Sequence, residues 1–233
     1  MAERPPRYAF DLAERAAVYR AIFERRDMRH FSGGSVPEAV LVRLLTAAHH
    51  APSFGFMQPW RFIRVGSRGD LRTRLHARAE QERRATARAL GEREDEFMLL
   101  KVHGVLEVAE VLAVVLAGGR ERHVFGLRTL PEMDVVSAAF AIQNLWLATR
   151  AEGLGLGWVS LFEPDAVGML LGVPSGAQTI ALLCLGPVDA FYAQPMLELA
   201  GRAQRQPLSE MVFDHAWGQR TTLPLAPNQN PTE

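Results

Sequence analysis

The stretch MDVVSAAFAIQNLWLATRAEGLG, from Met133 to Gly155, constrains the fold more than any other. It has helical character and is apolar on nearly every side, so it must be covered all round, by a thick core or by a partner subunit. A chain of 233 residues is slightly above the usual single-domain size and can hide one such helix. The expectation is a single domain over residues 1–233 that pairs with a second copy, shielding the helix from about Asp134 to Glu152.

Around this helix the apolar pattern predicts four strands: WRFIRV, VLAVVLAG, LGWVSLF and TIALLCLGPV. A helix from Asp11 to about Arg25 carries Leu12, Ala16, Tyr19, Ile22 and Phe23 at spacings of three and four. A second has Ser35 and Glu38 at capping-box spacing, Pro37 in its first turn, and an apolar face of Val40, Leu41, Leu44, Leu45 and Ala48. EPDAVGMLLGV reads as a short helix between the last two strands. Helices precede, interrupt and flank a small sheet without regular βαβ alternation, which points to an α+β fold.

Two segments depart from this pattern. Gly66 to Lys101 is crowded with Arg and Glu and carries only a thin stripe, such as Leu71 and Leu75. It reads either as a helical excursion or lid or as a solvated surface helix. The tail, about residues 224–233, reads as disordered or as an arm lying on something else.

Several classes are excluded. Net charge is zero, so bulk electrostatics suggest neither a nucleic-acid nor an anionic-membrane binder. The N-terminus lacks a signal-peptide stretch and no run is long enough to span a membrane, so a cytoplasmic protein is expected. The one cysteine, Cys184, sits in an apolar run and reads as a buried small hydrophobe. His30, His49 and His50 lack acidic or cysteine companions at ligand spacing, so no metal is expected there. His103 and His123 read as surface or packing residues, Ser137 as a core residue satisfied by its own backbone, and Trp146 and Trp158 as core or interface packing. There is neither a G-x-G-x-x-G after a strand nor a P-loop, and GLGLG, from Gly153 to Gly157, follows a helix instead of opening one.

Chemistry concentrates in two places. In ERRDMRHF, an extended chain would put Arg25, Asp27 and Arg29 on one side and Arg26, Met28 and His30 on the other. Guanidinium forks flanking a carboxylate suit a phosphate, and they equally suit a surface ion-pair group. In HHAPSFGFMQPWRF, small residues beside aromatics let the backbone approach a flat ligand, and Ser53 and Gln58 can supply directed hydrogen bonds. The same loop could be a structural turn.

Together RRDMRHF and LLTAAHHAPSFGFMQPWRF resemble the flavin-binding signature of the nitroreductase superfamily, and the likeness runs on to ALLCLGP, over about residues 11–200. The resemblance implies a nitroreductase-like fold, with a small, mostly antiparallel sheet flanked by helices in an intertwined homodimer. It also implies FMN gripped by Arg25, Arg26, Asp27, Met28, Arg29, Ser53, Gln58, Leu100 and Ser160. LGPVDAFYAQPMLE lacks the late Lys or Arg that many nitroreductases add to the phosphate, which puts more of that burden on Arg25, Arg26 and Arg29.

Within the superfamily, Asp27, the RTLPEMD lead-in to the long helix, and GWVSLF with Ser160 resemble the flavin-destroying branch, the 5,6-dimethylbenzimidazole synthases. That branch implies reduced FMN as substrate, dioxygen as co-substrate, and dimethylbenzimidazole and erythrose 4-phosphate as products. A separate NAD(P)H-dependent flavin reductase would supply the reduced FMN. Asp27 and Ser160 are the expected catalytic residues. Two neighbouring arginines should keep Asp27 ionised at neutral pH, as a weak base aided by proximity and exclusion of water. The alternatives are an NAD(P)H-dependent nitro- or quinone reductase that retains its FMN, and a non-catalytic FMN carrier or sensor.

Overall fold

A computed structural model describes residues 7–66, 70–120 and 130–225. His123, the Arg128–Thr129 start of the lead-in, and all but the first two residues of the expected tail lie outside them. The chain divides into two compact units, Arg25–Phe191 and Met1–Glu24 with Tyr192–Glu233.

The Arg25–Phe191 unit is built on four strands: β1 (Trp60–Val65), β2 (Glu110–Leu116), β3 (Gly155–Val159) and β4 (Gln178–Gly186). They lie in the order β1-β2-β4-β3, antiparallel throughout. These are the four strands expected, within one or two residues at most ends. β2 and β4 are central, and every residue of β2 is buried. Its alternation divides the core: Leu112, Val114 and Leu116 join Leu183 and Leu185 on one face, while Val111 and Ala113 join Leu182 and Cys184 on the other.

Each face has its own helices. On the first lie α2 (Glu38–His49) and α5 (Met133–Ala151), which contribute Leu41, Leu44, Ala138, Ala141, Ile142 and Leu145. On the second, α3 (Leu71–Ala89) inserts Leu75 and Ala79 and α6 (Pro164–Leu171) inserts Val167, all fully buried. The charged excursion therefore packs Leu75 and Ala79 against the sheet; beyond α3 it continues through a turn at Gly91–Arg93 into α4 (Glu94–Met98). α6 has clear end signals. Glu163 accepts from the backbone N–H groups of Asp165 and Ala166, Pro164 occupies the first turn, and Gly172 closes the helix at φ 66°.

One local expectation is corrected. The capping box at Ser35 does not form: α2 begins at Glu38, and the carbonyl of the extended Pro37 accepts the first helical hydrogen bond, from Leu41 N at 3.0 Å. The APSFGFMQP segment contains one helical turn, Phe54–Phe56, and places Phe56 and Gln58 at positive φ, 53° and 45°.

The expectation that α5 is apolar on nearly every side meets a single chain that covers one face of it. Ser137, Ala138, Ala141, Ile142, Leu145 and Thr149 are buried, whereas Val135 and Phe140 remain exposed at 43% and 38%. Phe140 stacks on Phe54 with ring centroids 6.3 Å apart.

The other unit contains α1 (Leu12–Glu24), with Tyr19 stacked on Phe23, and a C-terminal segment with the short helix α7 (Met196–Leu199). No residue of α1 is buried. No helix among the described residues is long and apolar enough to cross a membrane.

Candidate active site

Two glycines in β3 make the site possible. The Arg25–Arg29 segment runs beside β3, bridging through Asp27 and Leu156, with Met28 N donating to Leu156 O at 2.9 Å. A Cβ on Gly157 would lie 2.1 Å from the Met28 carbonyl oxygen, and one on Gly155 would lie 2.4 Å from Val188 and 3.1 Å from the Met28 side chain. The segment can lie there only because β3 presents no side chain at these positions. Neither glycine was among the expected site residues, although glycines alternating within a strand are the sequence signal of such an approach.

Period-two alternation then sorts the segment. Met28 turns inward, 1% exposed, beneath Gly155, so its side chain belongs to the core. Asp27 turns to the opposite side. Its Oδ1 accepts from Trp158 N at 2.9 Å and its Oδ2 from the Arg29 guanidinium at 2.5 Å. Arg29 also donates to Trp158 O at 2.9 Å, and its side chain is only 12% exposed. Arg25 lays its guanidinium over the Trp146 ring, 4.8 Å from the centroid. Arg26 NH1 donates to the carbonyl of Arg25, and its own carbonyl accepts from the Trp146 indole N–H at 3.0 Å.

These contacts form one wall of an open cleft of about 470 Å³, lined by Asp27, Arg29, Trp146, Trp158, Ser160 and Ile180. Trp146 and Trp158 pack against the first core and also line the cleft, with ring centroids 6.5 Å apart. Ser160 follows directly after β3 and is exposed. Ile180 belongs here because the β2–β4 register slips between Val114 and Val115 and passes over it. A second hollow, about 390 Å³ along the outside of α3, is a furrow between Ala77, Gln81, Arg84 and Arg88 and holds none of the expected site residues.

Burial outweighs the neighbouring Arg29 and Arg25 and the Trp158 N–H, and raises the Asp27 carboxyl above its ordinary value. Solvent tempers the effect, since 43% of the side chain remains accessible. The expectation of a weak base held down by two arginines is therefore corrected: desolvation makes Asp27 a better proton acceptor than a free aspartate.

Other expected residues lie elsewhere. Ser53 accepts from Gln58 N at 3.1 Å, and Ser137, fully buried, donates to Met133 O and accepts from Phe54 N, so these contacts hold the loop's shape. Leu100 is half-buried, and its carbonyl accepts from Arg83 at 3.0 Å. Neither Ser53, Gln58 nor Leu100 lines the cleft. Cys184 is 1% exposed, and burial pushes its thiol up to about 11, leaving it inert.

The donor set suits FMN: Arg29 in the cleft wall and Arg25 over the Trp146 ring provide cationic donors for a phosphate, two indoles and Ile180 provide apolar surface for a ring, and Asp27 and Ser160 add one carboxylate and one hydroxyl.

Residues 22–187 match the Nitroreductase family. A Rhodospirillum rubrum protein named 5,6-dimethylbenzimidazole synthase is 40% identical over 193 residues, covering 80% of this chain and 90% of its own. A Rhodobacter capsulatus protein of the same name is 37% identical over 203 residues, covering 85% and 96%. Among solved structures, an iodotyrosine deiodinase bound to FMN and 3-iodo-L-tyrosine superposes with a TM-score of 0.62 at 23% identity, covering 76% of this chain and 92% of its own. That likeness establishes the fold.

Proposed function

The chain belongs to the nitroreductase family, and within it we propose that it is a 5,6-dimethylbenzimidazole synthase, fragmenting reduced FMN with dioxygen to dimethylbenzimidazole and erythrose 4-phosphate. Family and fold neighbours support FMN binding, and relatives at 37–40% identity over most of the chain carry the synthase name. The observation in the site that carries the reading is the Asp27 carboxylate, fixed at the cleft by Trp158 N and Arg29 with its proton affinity raised.

Reduced flavin supplies the electrons for the reaction with oxygen. The chain's own residues bind, orient and move protons. Arg25 and Arg26 hold the phosphate, and Arg29 steadies Asp27. Asp27 accepts a proton from a ribityl hydroxyl, and Ser160 gives the ring a directed hydrogen bond. The end of the charged excursion near Leu100 closes over the flavin and excludes water. A second copy of the chain covers Val135 and Phe140 of α5 and completes the site in a homodimer, bringing Ser53 and Gln58 to the flavin. A separate NAD(P)H-dependent reductase supplies reduced FMN, and the reaction is cytoplasmic.

The test is anaerobic loading with reduced FMN, admission of air and identification of products. Dimethylbenzimidazole is expected. Flavin reoxidised intact, together with rapid bleaching by NADH, would instead identify a reductase that keeps its FMN.

A further inference from the structure

Away from the cleft, three potential ligands converge between α3 and the loop after α4. His76 and Glu80 are four residues apart on α3 and so share a face of the helix, and His103 approaches from the loop. The ligand atoms of all three lie within 4.8 Å of one another. His103 Nε2 is 2.8 Å from Glu80 Oε1, and the two imidazoles meet edge to face with centroids 4.9 Å apart. His103 is 8% exposed, so the site is backed by protein on one side and reached from the side of the half-buried His76.

We propose that His76, Glu80 and His103 form a binding site for a divalent transition ion of the zinc class, which pins α3 to residues 98–104. Two imidazoles and one carboxylate are a donor set for zinc or cobalt, not for the all-oxygen ions calcium and magnesium. Tetrahedral coordination with bonds of about 2.0–2.2 Å requires donors roughly 3.3 Å apart. The His103–Glu80 pair is already that close, and rotation of the half-buried His76 side chain brings in the third. Three protein ligands leave the fourth position for water.

Arg83 is the adverse charge. Its NH1 lies 3.2 Å from Glu80 Oε1 and 3.5 Å from Oε2, while its NH2 donates to the carbonyls of Met98 and Leu100. With Oε1 on the ion, Arg83 keeps Oε2 and orients the carboxylate, an outer-shell role. The ion would then tie the helix, through Glu80 and Arg83, to the backbone at 98 and 100, and through His103 to the next residue, Gly104. That glycine is packed so tightly that a Cβ there would lie 2.8 Å from the Phe31 ring and 3.3 Å from Arg29 O. The ion site is thus one residue from the segment that carries Arg29 to the cleft.

The test uses full-length protein freed of metal with a chelator and titrated with Co2+. Wild type should bind one equivalent with the visible absorption of a low-coordinate site, and Zn2+ should displace it. His76→Ala, a change at a half-buried position that keeps the fold, should weaken binding at least tenfold, as should Glu80→Gln, while a His49→Ala/His50→Ala variant should bind like wild type. Amide exchange over residues 99–104 should slow on Zn2+ addition in wild type and not in His76→Ala. Absence of saturable one-equivalent binding, or binding that survives His76→Ala, or loss in the His49/His50 variant, would overturn the site. Binding without slowed exchange would overturn the pinning.

Discussion

Gly157 lies so close to Met28 that a methyl group on its α-carbon would overlap the Met28 carbonyl oxygen, at 2.1 Å. The neighbour is backbone, held by Met28 N donating to Leu156 O, so it cannot swing aside as a flexible side chain would. Gly157→Ala should therefore push the Arg25–Arg29 segment off β3. The expected cost is about 1–3 kcal/mol in unfolding free energy, the usual range for overpacking, with weakened FMN binding alongside. Denaturant midpoints and flavin titration check both, and a variant as stable as wild type would contradict the contact.

Arg25 and Arg29 should separate on mutation. Arg25 lays its guanidinium over the Trp146 ring, so Arg25→Ala should cost about 1.5–3 kcal/mol in flavin affinity, or roughly ten- to a hundredfold in Kd, while product per bound flavin persists. Arg29 also holds Asp27 and Trp158 O. Arg29→Ala should therefore lower both affinity and product yield at saturating flavin. Equal behaviour of the two variants would remove this division of labour.

For Asp27 the pH dependence follows from the raised carboxyl. Below its folded pKa it is protonated and cannot act as a base, so the acid limb of product formation should be displaced upward from the ordinary aspartate value. Asp27→Asn, which cannot accept the proton, should bind flavin and lose product at every pH. Asp27→Ser should bind reduced FMN and reoxidise it without cleavage. Stability carries the same sign: the folded chain binds more protons than the unfolded one between the ordinary value and the raised one. Folding free energy is therefore lost as pH rises through that window, a slope absent in Asp27→Asn. Near wild-type product from Asp27→Asn would make Asp27 structural.

Ser137 should matter to the Ser53–Gln58 loop although it lies on α5. Its hydroxyl accepts from Phe54 N, and the loop it holds keeps Phe56 and Gln58 at positive φ. Ser137→Ala leaves the Phe54 N–H without that acceptor, at a cost of about 1–3 kcal/mol. Thermal unfolding reads the loss, and faster amide exchange confined to residues 54–58 would locate it.

The fold was legible wherever one residue pattern had one solution. β2 and β4 announce themselves as continuous apolar runs because both their faces are covered, and α6 carries Pro164 at its start and Gly172 at its end. Ser35 misled because capping-box spacing says nothing about where the backbone turns, and Pro37 starts the helix instead. In the site, Asp27, Arg29 and Ser160 reach a common cleft, but the direction in which the Asp27 proton affinity moves was misjudged from sequence: spacing shows its charged neighbours and hides its burial. Gly155 and Gly157 were passed over because their role is to be absent from a space that only the folded chain defines. The His76–Glu80–His103 grouping was invisible for a related reason, since 23 residues separate Glu80 from the histidine it meets.

Cys184 gives the molecule an internal reporter. Its thiol is the chain's only one, lies on the central strand β4 paired with both β2 and β3, and is held protonated at neutral pH. An alkylating reagent in solution can reach it only when the central strands part. The rate of labelling therefore counts openings of the sheet itself, one molecule at a time and without a spectroscopic probe. The same seclusion means that an oxidant in solution meets no accessible thiol on the intact fold.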